Sequence, residues 1–435
     1  MKKLLNNWLQ YAGRSRAVAL VAPLAAAALL GAQDAHADTI KIGYISPLTG
    51  SHAEFSETDP FVLKKMGELL KSGLTISGKK YDVQIIQKDS QSNTDRASNL
   101  AAQLITKDKV DILLIQDSLS SITASDQAEL NGVPAISTMM PWQAWMFPRK
   151  GDPKVGFEWS YHFFWGLEDV IAAYKDIWTS VATNKVVGGI YSADPGGEAF
   201  GSDEFGVPAA LKQIGFSNVP TGKFQEGSAD FSPQIAKFKA ENVQIITGHA
   251  HVPDFTTFWS QAAQQKLNPK VVTVAAALLF PSGLAAQGDR GDGLTTEVWW
   301  TPVYPYKSSL TGQSSKELAA QYEKETGRQW TQPLGYAHAI WEIGIEALKR
   351  SADPHNKDAV RNVLKSMKMD TIVGKINWAD TPIKNVAKTT VVGGQWRLAS
   401  KIGAKHKHKY ELLVTNNANA PGIPVQAKVK LLSEL

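Results

Sequence analysis

The chain has 435 residues, a formal net charge of +5 at neutral pH and no cysteine. The absence of cysteine excludes disulfide bonds, thiol catalysis and thiolate metal sites. A chain of this length is too long for one hydrophobic core and fits two domains. Setting aside the four basic residues and Asp34 of positions 1–37 reduces the charge from +5 to +2, which gives no sign of nucleic-acid binding.

The first 37 residues have the three parts of a secretory signal peptide. Basic residues from Lys2 to Arg16 precede the apolar run 17–31, and an A-x-A cleavage signature follows at 35–37. The apolar run is too short for a comfortable membrane span, although a short N-terminal anchor is the alternative. The sequence therefore predicts Sec-type export, cleavage after Ala37, and a mature chain that does not itself span a membrane.

From residue 39 the chain alternates between predicted strands and predicted helices. Short apolar runs are typical of buried parallel strands, and apolar residues at helical spacing predict helices. In chain order, the predicted elements are strands 39–45 and 80–89, helix 94–107, strand 110–116, helix 121–132 and strand 133–137. This alternation indicates a parallel sheet with helices on both faces.

The same pattern restarts after residue 185. Its predicted elements are strand 185–192, helices 202–215 and 228–243, strand 244–248, helix 254–267 and strand 270–277. A β-like run at 295–305 can cross back to the first block. Three predicted helices then follow at 316–327, 336–351 and 358–367, before a tail of short strands and loops from 372 onward. The predicted fold class is therefore α/β, with two blocks that each have their own sheet.

Ligands of open parallel sheets bind beyond the carboxyl ends of the strands, and two such sheets facing each other make a cleft. The residues that follow each strand are therefore the candidates for a site. One of these stretches is 137–149, STMMPWQAWMFPR, which holds three of the seven methionines and two of the thirteen tryptophans. Both core packing and a ligand pocket are consistent with it.

Four segments in register resemble the periplasmic solute-binding proteins of the leucine/isoleucine/valine-binding type, which are the type I receptors of ABC importers. The segments are 41–55 (KIGYISPLTGSHAEF), 87–115, 124–137 and 229–248. The resemblance implies two Rossmann-like lobes joined by three crossing strands, with the ligand held between them by hinge closure. The implied lobes are 38–160 plus 300–373 for lobe one, and 161–299 plus 374–435 for lobe two.

The resemblance also implies roles for residues that follow two strands. In amino-acid-binding members, a serine after the strand corresponding to 110–116 holds the ligand carboxylate, and Ser118 stands there with Ser120 close by. Capping of the next helix is the alternative role for Ser120. After the following strand the family offers a backbone carbonyl and then a threonine. This chain has Met139 and Pro141 there, and proline has neither hydroxyl nor N–H.

The family's anchors for an α-ammonium group are largely missing. Amino-acid-binding members carry a glutamate after the strand equivalent to 270–277, where this chain reads VAAALLFPSG without an acid. A tyrosine pair expected after 244–248 is replaced by His249 and His251. Because a buried ammonium without an acidic partner is unfavourable, the sequence argues against a standard α-amino acid as the ligand.

Aromatic side chains are the main candidates for the walls of a pocket, because small-molecule sites are mostly apolar and aromatic. Core or inter-lobe packing is the alternative for each of them, and a cation–π cage for a quaternary ammonium is a second alternative. The candidate ligand-binding residues are Phe55, Ser118, Ser120, Ser137, Met139, Pro141, Trp142, Trp165, Phe200, His249, His251 and Trp300.

We expect no cofactor and no metal, because His249 and His251 lack a third ligand at a recognisable spacing. A GxSxG elbow is absent from the sequence, so catalysis lacks positive evidence. The resemblance implies a monomeric receptor, not an enzyme, that captures a small organic solute and delivers it to inner-membrane ABC permease subunits. We expect an aromatic or apolar carboxylate as the ligand. An amino acid or amide is the alternative ligand; a secreted α/β hydrolase and an extracytoplasmic sensor are the alternative classes.

Overall fold

Strands and helices alternate along most of the chain. The computed structural model of the protein describes residues 38–403 and 407–435, so the predicted signal peptide at 1–37 lies outside the described residues. The strands are β1 (Asp38–Ser46), β2 (Leu74–Ile76), β3 (Lys79–Asp89), β4 (Ile112–Gln116), β5 (Ala135–Thr138), β6 (Ser160–Phe163), β7 (Val186–Ser192), β8 (Ser217–Val219), β9 (Lys223–Phe224), β10 (Ile245–Ala250), β11 (Val271–Ala276), β12 (Thr295–Val298), β13 (Lys368–Thr371), β14 (Gly374–Asn377), β15 (Val386–Ala387), β16 (Val392–Leu398) and β17 (Tyr410–Asn416).

The helices lie between these strands. They are α1 (Asp59–Leu70), α2 (Thr94–Thr106), α3 (Ser118–Asn131), α4 (Trp142–Met146), α5 (Leu167–Thr179), α6 (Pro195–Phe200), α7 (Val207–Gln213), α8 (Ser232–Ala240), α9 (Val252–Gln264), α10 (Pro281–Ala286), α11 (Ser315–Thr326), α12 (Pro333–Arg350) and α13 (Lys357–Lys365). In the part of the chain that the structure describes, no helix is both long enough and apolar enough to cross a bilayer.

The strands form two large sheets. The first has the order β15-β6-β5-β4-β1-β3-β2, and the second has the order β17-β16-β12-β11-β10-β7-β8, with β9 also paired to β7. The central strands run parallel in both sheets, as in the pairs β1–β4 and β10–β11. A separate hairpin joins β13 and β14. The predicted α/β class, with a mainly parallel sheet in each of two blocks, is confirmed.

The chain passes between the two sheets three times. The first passage follows β6, the second follows β12, and the third separates β15 from β16. Both β6 and β15 pair within the first sheet. We therefore propose lobe limits near residues 164 and 390, rather than 160 and 373. The division into lobes remains a prediction.

Helix α12 fixes the place where the three passages meet. Its Tyr336 ring lies 5.0 Å from the rings of Phe164, on the first passage, and Trp299, on the second. The Tyr336 hydroxyl lies 2.6 Å from the Thr389 hydroxyl, on the third passage. The helix begins with Pro333 in its first turn, where the missing N–H is tolerated, and most of its residues are buried. One buried tyrosine thus contacts all three connections between the sheets.

Several predicted elements are shorter than the sequence suggested, among them helix 228–243, which covers only Ser232–Ala240. The β-like run at 295–305 forms a strand only over Thr295–Val298. Pro302 and Pro305 lack the N–H that would continue a ladder. The predicted helix 202–215 begins only at Val207, where Gly206 is the extended cap and a proline stands in the first turn. The short helices α4, α6 and α10 were not predicted, because they span too few residues to show a helical period.

Candidate functional site

A cavity of about 470 Å³ lies between the two sheets. Its walls come from residues at or just after the carboxyl ends of β1, β3, β4, β5 and β6 in the first sheet. The second sheet contributes residues at or after the ends of β7, β9, β10, β11 and β12. This is the position expected of a ligand site in open parallel sheets, and the volume is in the range of small-molecule sites.

Two-thirds of the residues that the sequence nominates lie on the wall of this cavity. The eight that line it are Phe55, Ser118, Met139, Pro141, Trp165, Phe200, His249 and His251. They lie at or after the ends of six different strands, so the sheet topology brings them together from positions as distant as 55 and 251. Their contact with a ligand stays a prediction.

The other four nominated residues do not line the cavity; three of their side chains have polar partners elsewhere, and the buried Ser120 hydroxyl has none among the described residues. The Ser137 hydroxyl lies 2.8 Å from Nδ1 of His162. The Ser120 N–H donates to Oδ1 of Asp117, as part of the cap of α3. The indole N–H groups of the two tryptophans are also engaged: Trp142 donates to Glu168 and Trp300 to the Ile372 carbonyl, both at 3.1 Å. Trp142 packs in a small separate cluster with Trp145 and Met146.

The carboxylate of Asp117, next to Ser118, caps the amino terminus of α3. Asp117 caps the helix with Oδ1, and its Oδ2 lies 2.9 Å from Nδ1 of His52. Its φ of 78° is in the left-handed region, which is uncommon for a residue other than glycine. Because Asp117 already supplies a negative charge at this helix terminus, a ligand carboxylate there meets the His52–Asp117 pair rather than bare N–H groups.

Histidines from both sheets meet on the cavity wall. The ring centroid of His52, which follows β1, lies 5.4 Å from that of His251, which follows β10. His249 lies 5.6 Å from His251. Two acids accompany them: Nε2 of His251 is 3.2 Å from Oδ2 of Asp194 and 3.5 Å from Oε1 of Glu226. This group of side chains therefore spans the cleft.

The charge of this cluster follows from burial and hydrogen bonding. Burial opposes it, but the hydrogen bonds from His251, Ser192 and the Gly197 N–H hold the pKa of Asp194 well below its usual range. Burial lowers the pKa of His249 to about 4, so that ring is neutral at pH 7. Burial acts in the same direction on His251, but its hydrogen bond to Asp194 outweighs burial and raises the pKa above the ordinary value.

Another part of the cavity wall is aromatic rather than polar. The Phe164 ring lies 4.5 Å from that of Trp165 and 5.3 Å from that of Trp299, and all three line the cavity. The indole N–H groups of Trp165 and Trp299 are buried and have no acceptor among the described residues. A buried donor without an acceptor is unfavourable, so the loss of hydration of these two N–H groups is not compensated by a hydrogen bond.

Three acids on the wall were not nominated by the sequence. Asp194, Glu226 and Glu297 all line the cavity, and burial raises the pKa of Glu297, which accepts a hydrogen bond from the Tyr174 hydroxyl. No acid follows β11, as the sequence indicated, but other elements of the fold bring these three acids to the cavity wall. Asp194 stands just after a predicted strand, which is the signal that could have identified it.

Ser192 lies beside this cluster, but its hydrogen bonding does not resemble that of a catalytic serine. Its hydroxyl is 2.6 Å from Oδ2 of Asp194 and 3.1 Å from Nδ1 of His249. A nucleophilic serine gives its proton to the base, and here the carboxylate is the nearer acceptor. This geometry offers no support for the hydrolase alternative.

Comparison with known families identifies the class of the protein. Residues 39–399 match the model of the family described as periplasmic binding protein. The chain belongs to this family, which consists of solute-binding proteins of ABC transporters. The resemblance seen in the sequence is thereby confirmed.

Solved structures of the same class share the fold across most of the chain. Leucine-binding protein LivK from Thermotoga maritima MSB8 is 18% identical, with a TM-score of 0.67 over 87% of this chain and 99% of that one. A solute-binding protein of an ABC transporter from Rhodopseudomonas palustris BisB5, in complex with 3,4-dihydroxybenzoic acid, is 20% identical, with a TM-score of 0.67 over 88% and 99%. LivJ from Streptococcus pneumoniae str. Canada MDR_19A, in complex with isoleucine, is 15% identical, with a TM-score of 0.63 over 91% and 100%. At these identities the likeness is one of fold.

Proposed function

We propose that the protein is an exported, monomeric receptor that captures a small organic carboxylate in the cleft and delivers it to an inner-membrane ABC permease. Membership of the periplasmic binding protein family supports the receptor role. The signal-peptide pattern at 1–37 supports export. Both sheets contribute to the wall of the cavity, so a ligand that contacts both has a higher affinity for the closed form and shifts the population toward it.

The observation that carries the proposed ligand class is the division of the wall into an aromatic part and a polar part. Phe164, Trp165 and Trp299 suit the faces and edges of a ring. The histidines on the wall offer donors to a carboxylate or a phenol oxygen. The neighbour from Rhodopseudomonas palustris, whose structure contains 3,4-dihydroxybenzoic acid, adds support for an aromatic acid.

An amino acid is the second candidate ligand, and the three acids on the wall favour it. An ammonium group placed near Asp194, Glu226 or Glu297 would have the acidic partner that the sequence did not reveal. The LivJ structure from Streptococcus pneumoniae contains isoleucine. The aromatic acid remains the preferred proposal, because the cavity wall places more aromatic than acidic side chains around the ligand.

A thermal-shift screen of aromatic acids, aliphatic acids, amides and amino acids tests the ligand class. A ligand present at about 100 times its Kd should stabilise the folded protein by about 2.7 kcal/mol. We expect benzoate-type acids to raise Tm and leucine or isoleucine to have little effect. The opposite ranking would make the protein an amino-acid receptor, and no stabilisation by any of these compounds would contradict the proposal.

Two tryptophans provide a matched pair of variants for the site. Trp165 lines the cavity, whereas Trp142 lies in the neighbouring cluster and does not line it. We expect Trp165→Ala to weaken binding of the best acid at least about tenfold, and Trp142→Ala to lower stability with little effect on affinity. Isothermal titration and urea unfolding separate the two effects. Equal loss of affinity in both variants would place the ligand elsewhere.

A further inference from the structure

Three side chains on the cavity wall form a cluster that the receptor role does not require. They are contributed by three separate elements: Asp194 caps α6, Glu226 follows β9, and His251 caps α9. One ligand atom from each lies within 4.8 Å of the others. We propose that Asp194, Glu226 and His251 bind a divalent transition-metal ion, of which zinc is the type, and that the ion presents an open coordination position to the carboxylate of the solute.

The distances within the cluster support this proposal. Nε2 of His251 is 3.2 Å from Oδ2 of Asp194 and 3.5 Å from Oε1 of Glu226. Ligands at about 2.0–2.2 Å from a tetrahedral zinc ion are themselves separated by about 3.4 Å. A charged N–H···O hydrogen bond is usually shorter, at about 2.7–2.9 Å. Both separations from Nε2 of His251 are therefore close to those of ligands around one ion; without an ion, the 3.2 Å contact with Asp194 is a long hydrogen bond.

The carboxylate of Asp194 is held in position by groups outside the cluster. The Gly197 N–H donates to its Oδ1 at 2.7 Å, and the Ser192 hydroxyl donates to its Oδ2 at 2.6 Å. Such outer hydrogen bonds orient the ligands of metal sites. His249 stands close by, with Nδ1 3.6 Å from Oδ1 of Asp194. One imidazole and two carboxylates form a donor set that suits zinc, manganese or nickel better than a soft metal such as Cu(I).

The cluster also faces the place where a ligand would lie. All three side chains line the cavity, so the positions that the protein leaves open on the ion are directed toward the cleft. Sites with three protein ligands and an open position bind a water or a substrate oxygen there. This second step rests on the proposed function, because it assumes that the solute carries a carboxylate. The affinity of the cluster for the metal does not depend on that assumption.

The first test measures metal binding alone, with zinc as the probe. Protein stripped with EDTA and dialysed should bind one Zn²⁺ in isothermal titration, and Co²⁺ should give the visible absorption of a low-coordinate site. We expect His251→Gln and Glu226→Gln each to weaken zinc binding at least about tenfold. Glu241→Gln, which changes an exposed acid outside the cavity wall, is the matched control and should bind zinc as the parent does.

Circular dichroism establishes that each variant is folded, and Glu226→Gln changes a half-exposed side chain that is not needed for packing. The absence of stoichiometric zinc binding would overturn the proposal. Zinc binding that is unaffected by both cluster substitutions would also overturn it, because the ion would then be elsewhere on the surface.

The second test measures the solute with and without the metal. We expect the affinity for the best aromatic acid to fall at least about tenfold in EDTA and to be restored by zinc. An acid that binds equally well in EDTA would overturn the metal bridge and leave the receptor function intact. Zinc binding that responds to the cluster substitutions, without binding of any acid, would support the metal site and contradict the proposed function. The two proposals therefore fail in distinguishable ways.

Discussion

At the scale of single residues, Asp59 is a buried carboxyl that supports the wall of the cleft from behind. Nε2 of Gln116 donates to both of its oxygens, at 2.8 Å and 3.0 Å. Gln116 ends β4, and Ser118, two residues further on, lines the cavity. Burial, only partly offset by these hydrogen bonds, raises the pKa of Asp59 to about 7. The group that holds this strand end therefore carries a proton well above the pH at which an ordinary aspartate loses it.

This raised pKa predicts a pH dependence of stability. Between about pH 4 and 7 the folded protein holds the Asp59 proton and the unfolded chain does not, so stability falls as pH rises through this window. In Asp59→Asn that contribution is absent. As pH rises, we expect the free energy of unfolding to fall less steeply in the variant than in the parent, with slopes that differ by up to about 1.4 kcal/mol per pH unit. Urea unfolding at pH 4 to 7 measures the slope.

The exposed Asp82 supplies the control for this experiment, because Asp82→Asn should leave the slope unchanged. Glu342, whose pKa burial also raises to about 7, titrates in parent and variants alike, so it cancels from the comparison. Identical slopes for the parent and Asp59→Asn would show that Asp59 is ionised in the folded protein.

Residues also mark the limit of what the sequence can predict about the site. Of the twelve residues nominated near strand ends, eight line the cavity. The rule that ligands lie beyond strand ends could not choose between neighbours: Trp299 lines the cavity, whereas the adjacent Trp300 turns to the Ile372 carbonyl. Successive side chains near a strand end point in opposite directions, so a shift of one residue in the strand boundary exchanges the two.

At the scale of elements, the cluster of Asp194, Glu226 and His251 depends on strand order rather than on local sequence. Strand β7 lies between β10 and β8, and β9 pairs with the carboxyl end of β7. The loops that follow β7, β9 and β10 therefore begin at the same edge of the sheet. The sequence shows each strand, but it does not show which strands are neighbours. For this reason the sequence spacing shows no third metal ligand for His249 and His251, although Asp194 and Glu226 lie beside His251.

Helix α12 offers a prediction at the same scale. Tyr336 contacts all three passages between the sheets, and its hydroxyl is hydrogen-bonded to Thr389 on the third. Tyr336→Phe leaves the Thr389 hydroxyl without this partner. We therefore expect a loss of about 1 kcal/mol in the free energy of unfolding, which urea denaturation will measure.

The matched control for Tyr336 is Tyr322 of α11, whose hydroxyl is buried without a hydrogen-bond partner among the described residues. Removal of that hydroxyl in Tyr322→Phe should be neutral or slightly stabilising. If the two substitutions have equal effects, the bond between Tyr336 and Thr389 does not contribute to the connection of the sheets.

At the scale of the whole molecule, the two sheets and their alternation with helices could be predicted because buried parallel strands and amphipathic helices leave periodic patterns in the sequence. The connections between the sheets could not be placed so well. The return strand β15 has only two residues, Val386 and Ala387, and it pairs with β6 more than 200 positions earlier in the chain. A two-residue strand leaves no period, and its partner is chosen by the packed fold.

Closure of the cleft is the last prediction, and the absence of cysteine makes it measurable by site-specific spin labels. Leu130 lies on α3, between two strands of the first sheet, and Phe205 lies between α6 and α7, which connect two strands of the second sheet. Both side chains are exposed, so a label on each in Leu130→Cys/Phe205→Cys reports the separation of the sheets. We expect the distance between the labels to shorten when the best carboxylate saturates the protein, because that ligand contacts both walls. The pair Leu69→Cys/Leu130→Cys places both labels on helices of the first sheet and should show no change. A separation between the first pair that stays the same at saturating ligand would mean that the solute binds without moving the sheets.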